Sequence, residues 1–156
     1  MRRFSKLKKR IESLFCPKLD INIYCTVYQK PSFYSFRGKL ELPRLWIVLN
    51  KEIIFDFIKD FKDTQIFDSK YNSNHREDGR PVYYGELPDI NRMIQDYIET
   101  PTDKLIDRTF QYDYFGIADI LKAADRRIGK KRLLILQDQT KNVAAMKIIK
   151  ARLSKI

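Results

Sequence analysis

The chain holds one histidine, His75, followed directly by Arg76, Glu77 and Asp78. An imidazole can act as a general base or a metal ligand, but both roles need a second ligand or a nucleophile nearby, and the sequence places none beside it. It reads as a solvated loop residue. The adjacent Glu77 and Asp78 have the chemistry to hold a cation or share a proton, yet carboxylate runs in loops are ordinarily just hydrated. Cys16 and Cys25 are spaced neither as a metal knuckle nor as a redox pair, so two half-buried thiols are expected. No glycine-rich phosphate loop, no G-K-S/T and no G-x-S-x-G elbow occurs. The expectation is a non-enzymatic protein with no catalytic residues, no metal and no cofactor.

The densest chemical feature is cationic. Arg126, Arg127, Lys130, Lys131 and Arg132 fall within seven residues, at what the pattern makes the end of a helix. Such a cluster can clamp phosphates, with Phe110, Tyr112, Tyr114 and Phe115 upstream as stacking surfaces for bases. It can equally steer an acidic protein, with Tyr71, Tyr83 and Tyr84 as aromatic anchors. A purely structural use is also open, because cations at a helix C-terminus are favoured by the macrodipole and can pair with acids elsewhere in the chain. The wider charge layout supplies those acids. Residues 1–20 hold seven Lys/Arg against two Asp/Glu, residues 126–156 ten against one, and residues 61–125 eight against thirteen, within a net charge of +11.

The elements that must position these groups read as α+β. At 156 residues with 44% hydrophobic side chains, the chain suits a single domain spanning 1–156. Phe4, Leu7, Ile11, Leu14 and Phe15 follow helical spacing over 3–15, and Pro17 should stop that helix. Ile21, Ile23, Cys25 and Val27 alternate with polar neighbours as in a half-buried strand. Further extended runs at 36–42, 45–49 and 52–57, with Asn50-Lys51 as a turn, complete a meander of about four strands over 21–58. Residues 61–86 are polar and rich in turn formers, a surface loop. Helices are expected over 88–99 and 114–128, the second closed by a left-handed Gly129. A short one follows at 130–136, and a last one at 141–154 has Val143, Met146, Ile149 and Leu153 inward. Thr102 and Thr140 are the expected caps. The architecture is a small antiparallel sheet covered on one face by an N-terminal helix and a C-terminal helical group.

No stretch approaches the roughly eighteen apolar residues of a membrane span, and Arg2 and Arg3 lead into an amphipathic pattern rather than a signal peptide. A cytoplasmic protein without stable membrane insertion is expected. The Lys-rich first helix could lie on an anionic lipid surface, but its apolar stripe is equally suited to covering the sheet.

The two basic ends also carry a likeness. F-S-K-L-K-K-R-I-E-S-L-F at 4–15 and A-D-R-R-I-G-K-K-R-L at 124–133 resemble the two ends of a family of short, uncharacterised bacterial proteins. Members of that family open W-S-K-L-K-K-R-I-E and carry L-D-R-R-x-G-K-R-R-L near the C-terminus. Phe4 stands where the family has Trp, and the stretch from Pro31 to Pro81 departs from its pattern. A stable frame around a divergent middle implies a recognition protein whose partner varies, such as the immunity protein of a bacterial toxin pair. Two functions follow. One is a cytoplasmic module that binds an acidic or neutral protein, in the immunity case a cognate toxin domain. The other is a nucleic-acid-binding protein with the 126–132 cluster on phosphates.

Overall fold

The structure is a computed structural model that describes residues 3–31, 39–56, 87–113 and 116–155. Helix α1 spans Phe4–Ser13; strands β1 (Ile21–Pro31), β2 (Lys39–Leu49) and β3 (Glu52–Asp56) follow. Five helices complete the described chain: α2 (Leu87–Glu99), α3 (Thr102–Leu105), α4 (Ile117–Ala124), α5 (Lys130–Gln139) and α6 (Val143–Leu153). The expected α+β class holds. The loop at 61–86, with Tyr71, His75, Tyr83 and Tyr84, lies outside the described residues, as do Tyr114 and Phe115.

The strands form one antiparallel meander in the order β1-β2-β3. Where about four strands were expected, the described residues form three, because residues 39–42 and the run at 45–49 belong to a single β2 that continues through Pro43. Pro43 pairs with Val27 of β1, and β3 begins its pairing further along, at Trp46. No second strand meets Pro43 among the described residues, so its missing N–H disrupts no ladder there. Asn50 and Lys51 close the β2–β3 hairpin with φ of 50° and 70°, the left-handed pair that a two-residue I′ turn requires.

Alternation sets the two faces. Ile21, Ile23, Leu45, Ile47, Leu49 and Phe55 are buried against the helices, in register as Ile21↔Leu49 and Ile23↔Ile47↔Phe55. The opposite face aligns Tyr24, Trp46 and Asp56 across the three strands. The two rings stack with centroids 5.3 Å apart, Lys8 Nζ lies 4.1 Å from the Tyr24 centroid, and the Arg44 guanidinium lies 4.4 Å from that of Trp46. Stacking of this kind contributes about 1 kcal/mol beyond area burial.

Helix α1 spends its apolar stripe inside: Leu7 and Ile11 are fully buried, on β1 and α2. The stripe is therefore covered by protein. Its polar side closes the free edge of β1, where Ile23 N–H donates to Glu12 Oε2 (3.1 Å) and Lys8 Nζ donates to Ile23 C=O (2.7 Å). Helix α4 is buried nearly all round and packs on α6, which also reaches β3. Even Lys122 lies inside, donating to the carbonyls of Ile106 (3.1 Å) and Arg108 (2.8 Å), and burial pushes its ammonium pKa down.

Two N-caps differ from expectation. Pro101 occupies the N-cap position of α3, so Thr102 is its first helical residue. Asn142 caps α6, its Oδ1 accepting from Ala145 N (2.9 Å), while Thr140 Oγ1 accepts from Asn142 N one step earlier. The inward stripe of α6 is Ala144, Ala145, Ile148, Ile149 and Arg152, so of the expected stripe only Ile149 is buried and Val143 is 70% exposed.

Candidate functional site

Helix α4 ends sooner than its periodicity implied. Asp125 is already extended, and Gly129 has φ −83° and ψ 179°, so it is no left-handed C-cap. Gly129 instead precedes α5, its carbonyl accepting from Leu133 N at 2.9 Å. Lys130, Lys131 and Arg132 therefore occupy the first turn of a helix, with no acidic residue among them. At that end the macrodipole opposes positive charge by a few tenths of a kcal/mol per residue. The dipole explanation therefore fails for these three residues.

The five cations do not form one set. Asp125 is fully buried and accepts from Arg127 Nη2 (2.7 Å), Arg127 Nε (3.0 Å), Arg127 N (2.9 Å) and the Tyr97 hydroxyl (2.8 Å). Arg127 is held by this carboxylate, which raises its pKa further. The Tyr97 pKa is driven well above its ordinary value, first by burial and then by the Asp125 charge. Arg132 Nη1 donates to Thr102 C=O at 2.9 Å. Arg152, unremarked in the sequence, is buried and gathers the carbonyls of Ala123, Asp125 and Ile128 at 2.8–2.9 Å, which ties α6 to the end of α4. Arg126, Lys130 and Lys131 remain exposed.

A short backbone pairing joins the two basic ends of the chain. Cys16 N–H donates to Ala124 C=O and Arg126 N–H to Leu14 C=O, both at 2.7 Å, and Phe15 bridges Asp125 in antiparallel fashion. Arg126 thus pairs through its backbone with Leu14, four residues before the exposed Lys18, and the exposed Lys130 follows four residues after Arg126. The nearest acids are directed elsewhere: Glu12 to Ile23 and Lys8, Asp125 to Arg127 and Tyr97. Lys18, Arg126 and Lys130 are each exposed at or just beyond this pairing, whereas Arg10 Nη1 is buried.

Of the upstream aromatics, two lie among the described residues. Phe110 is buried against Tyr97 at 5.6 Å, with Arg108 and Lys122 near its ring, and Tyr112 is half-buried with Arg92 5.9 Å from its centroid. Helix α5 adds two residues that the sequence did not flag: Leu134 and Ile135 are each 42% exposed, while Leu133 and Leu136 point inward. Cys16 and Cys25 are half-buried free thiols, and burial pushes the Cys25 pKa up to about 12.

The family model described as the SF0329 protein family matches residues 3–153. The chain belongs to the SF0329 protein family. The match takes in both basic segments and the seam that joins them, so these features lie inside the stretch that defines membership. Neither a curated protein nor a solved structure matches the chain. Among the described residues no helix is long and apolar enough to cross a membrane, and no group of three or more His, Cys, Asp or Glu is placed to hold a metal ion.

Proposed function

We propose that this member of the SF0329 family is a non-catalytic binding module whose seam, formed by residues 14–18 and 124–130, engages an acidic protein surface. The observation that carries the reading is the backbone pairing itself, which draws the two basic ends together while their neighbouring acids turn inward. Cations concentrated at one place speed encounter with an acidic partner and fix its orientation. A bacterial toxin domain of acidic or neutral character is the partner class we favour, with the chain acting as its immunity protein. Commitment of Arg127 and Arg132 to internal acceptors leaves Arg126, Lys130 and Lys18 as the groups that do the steering.

The test is co-purification from the native host at moderate salt, repeated with Arg126→Glu/Lys130→Glu. Both side chains are exposed, so the variant should keep the wild-type circular dichroism and unfolding midpoint while losing at least tenfold in affinity for the co-purifying protein. Polynucleotide binding whose log affinity falls steeply with log salt, at the expense of any protein partner, would replace this reading with the phosphate-binding one.

A further inference from the structure

Helix α5 is apolar on two sides. Leu133 and Leu136 enter the core, whereas Leu134 and Ile135 emerge on the outward face. The outward face reads Lys130, Lys131, Leu134, Ile135, Asp138, Gln139, all exposed. Its order along the axis is cation, apolar pair, anion.

That order is symmetric about the midpoint between Leu134 and Ile135. Lys131 and Asp138 stand one helical turn, roughly 5 Å, on either side of it and point the same way as the apolar pair. An occupant that satisfies this face must offer anion, apolar pair and cation in the reverse order, and α5 of a second copy, running antiparallel, offers just that. A two-fold axis through the midpoint sets Leu134 against Ile135 of the other copy, Lys131 against Asp138 twice, and Lys130 against Gln139.

We propose that the protein self-associates through α5 as an isologous antiparallel pair, with the Lys131–Asp138 contacts fixing direction and register. The net charge of +11 per copy does not forbid this. Beyond about 8 Å exposed charges are screened at physiological salt, so the groups on the face itself decide. One ten-residue helix face falls well short of the ~1,600 Å² total that a specific stable interface buries, so the pair is weak and forms at high protein concentration.

The experiment is sedimentation equilibrium of the full chain at physiological salt across a wide concentration range, with three exposed-site variants. Wild type should shift from monomer toward dimer as concentration rises. Lys131→Glu and Asp138→Lys should each weaken dimerisation by about tenfold, because each turns two attractive contacts into repulsive ones. The double variant Lys131→Glu/Asp138→Lys should recover the wild-type constant within about threefold, since the swapped charges meet again across the axis. Residues 131 and 138 are two turns apart on one helix, too far to pair within a chain, so recovery identifies an intermolecular contact. Wild type that stays monomeric throughout, or a double variant no better than the singles, overturns the proposal and leaves the seam reading untouched.

Discussion

Replacing Asp125 by Ala separates a structural from a solvated reading of the charged motif. The side chain is fully buried, and its oxygens accept from the Tyr97 hydroxyl and from Arg127 at 2.7–3.1 Å. Its removal leaves the Tyr97 hydroxyl buried without an acceptor, at about 1–3 kcal/mol. It also removes the partner of Arg127, whose side chain is 22% exposed and so regains some hydration. Breaking a buried pair costs about 3–5 kcal/mol; the partial exposure of Arg127 places the expected loss near the lower end, about 3 kcal/mol. For a chain of this size that lowers Tm by roughly 10 °C. The neighbouring Arg126→Ala should change stability by no more than about 0.5 kcal/mol, since Arg126 is exposed. Urea unfolding at neutral pH, compared at the midpoint with m held constant, reads both. In a double-mutant cycle, Asp125→Ala and Tyr97→Phe together should cost less than the sum of the singles. A loss below about 1 kcal/mol for Asp125→Ala, or strict additivity in the cycle, refutes the claim that this carboxylate holds the end of α4 in place.

Three more outcomes are expected. The Tyr97 phenol has its folded pKa raised well above the unfolded value near 10, so its neutral form is favoured in the fold; the stability it contributes is present below about pH 10 and is lost as pH rises above that. Buried Lys122, with a lowered folded pKa, contributes in the opposite sense, so the tyrosine effect is read as the difference between wild type and Tyr97→Phe in unfolding at pH 9 to 11. Lys51→Gly should stabilise the β2–β3 hairpin by about 1 kcal/mol in thermal unfolding, because Lys51 has φ of 70° and glycine adopts that conformation without a Cβ clash. Gly116→Ala should destabilise by at least 1–2 kcal/mol in urea unfolding: Gly116 has φ of 74°, and a Cβ there meets Asn142 Nδ2 at 2.9 Å, disturbing the residue that caps α6.

Elements whose burial obeys a local period were legible in the sequence: the α1 stripe, the alternation of β1, the Asn50-Lys51 turn and the inward face of α2. Readings that turned on one residue fared worse. The extended runs at 36–42 and 45–49 were separated in the sequence, yet β2 continues through Pro43, where it has a single paired neighbour among the described residues. Gly129 has the type and position of a C-cap, but Asp125 ends α4 first because its carboxylate is claimed from Tyr97, 28 residues earlier in the chain. No window of sequence contains both residues, and a charged run of this kind is ordinarily read as solvated. Arg152 was hidden likewise, one cation among several near the end of the chain, although it is the one that turned inward. The meeting of Leu14–Cys16 with Ala124–Arg126 is a tertiary contact without any local signature.

That meeting bears on how the molecule comes off the ribosome. The carbonyl of Leu14 and the amide of Cys16 find their donor and acceptor only after residues 124–126 have been synthesised and have left the exit tunnel. At about 5–20 residues per second, the segment Leu14–Cys16 waits several seconds for these partners, whereas Leu7 and Ile11 meet β1 and α2 earlier. Contacts so distant in sequence also slow the closing step once the chain is complete. During that interval the end of α1 is the part of the helix left unfinished, and truncation before residue 124 should strip Leu14 C=O and Cys16 N–H of these partners while leaving β1 and α2 to cover Leu7 and Ile11.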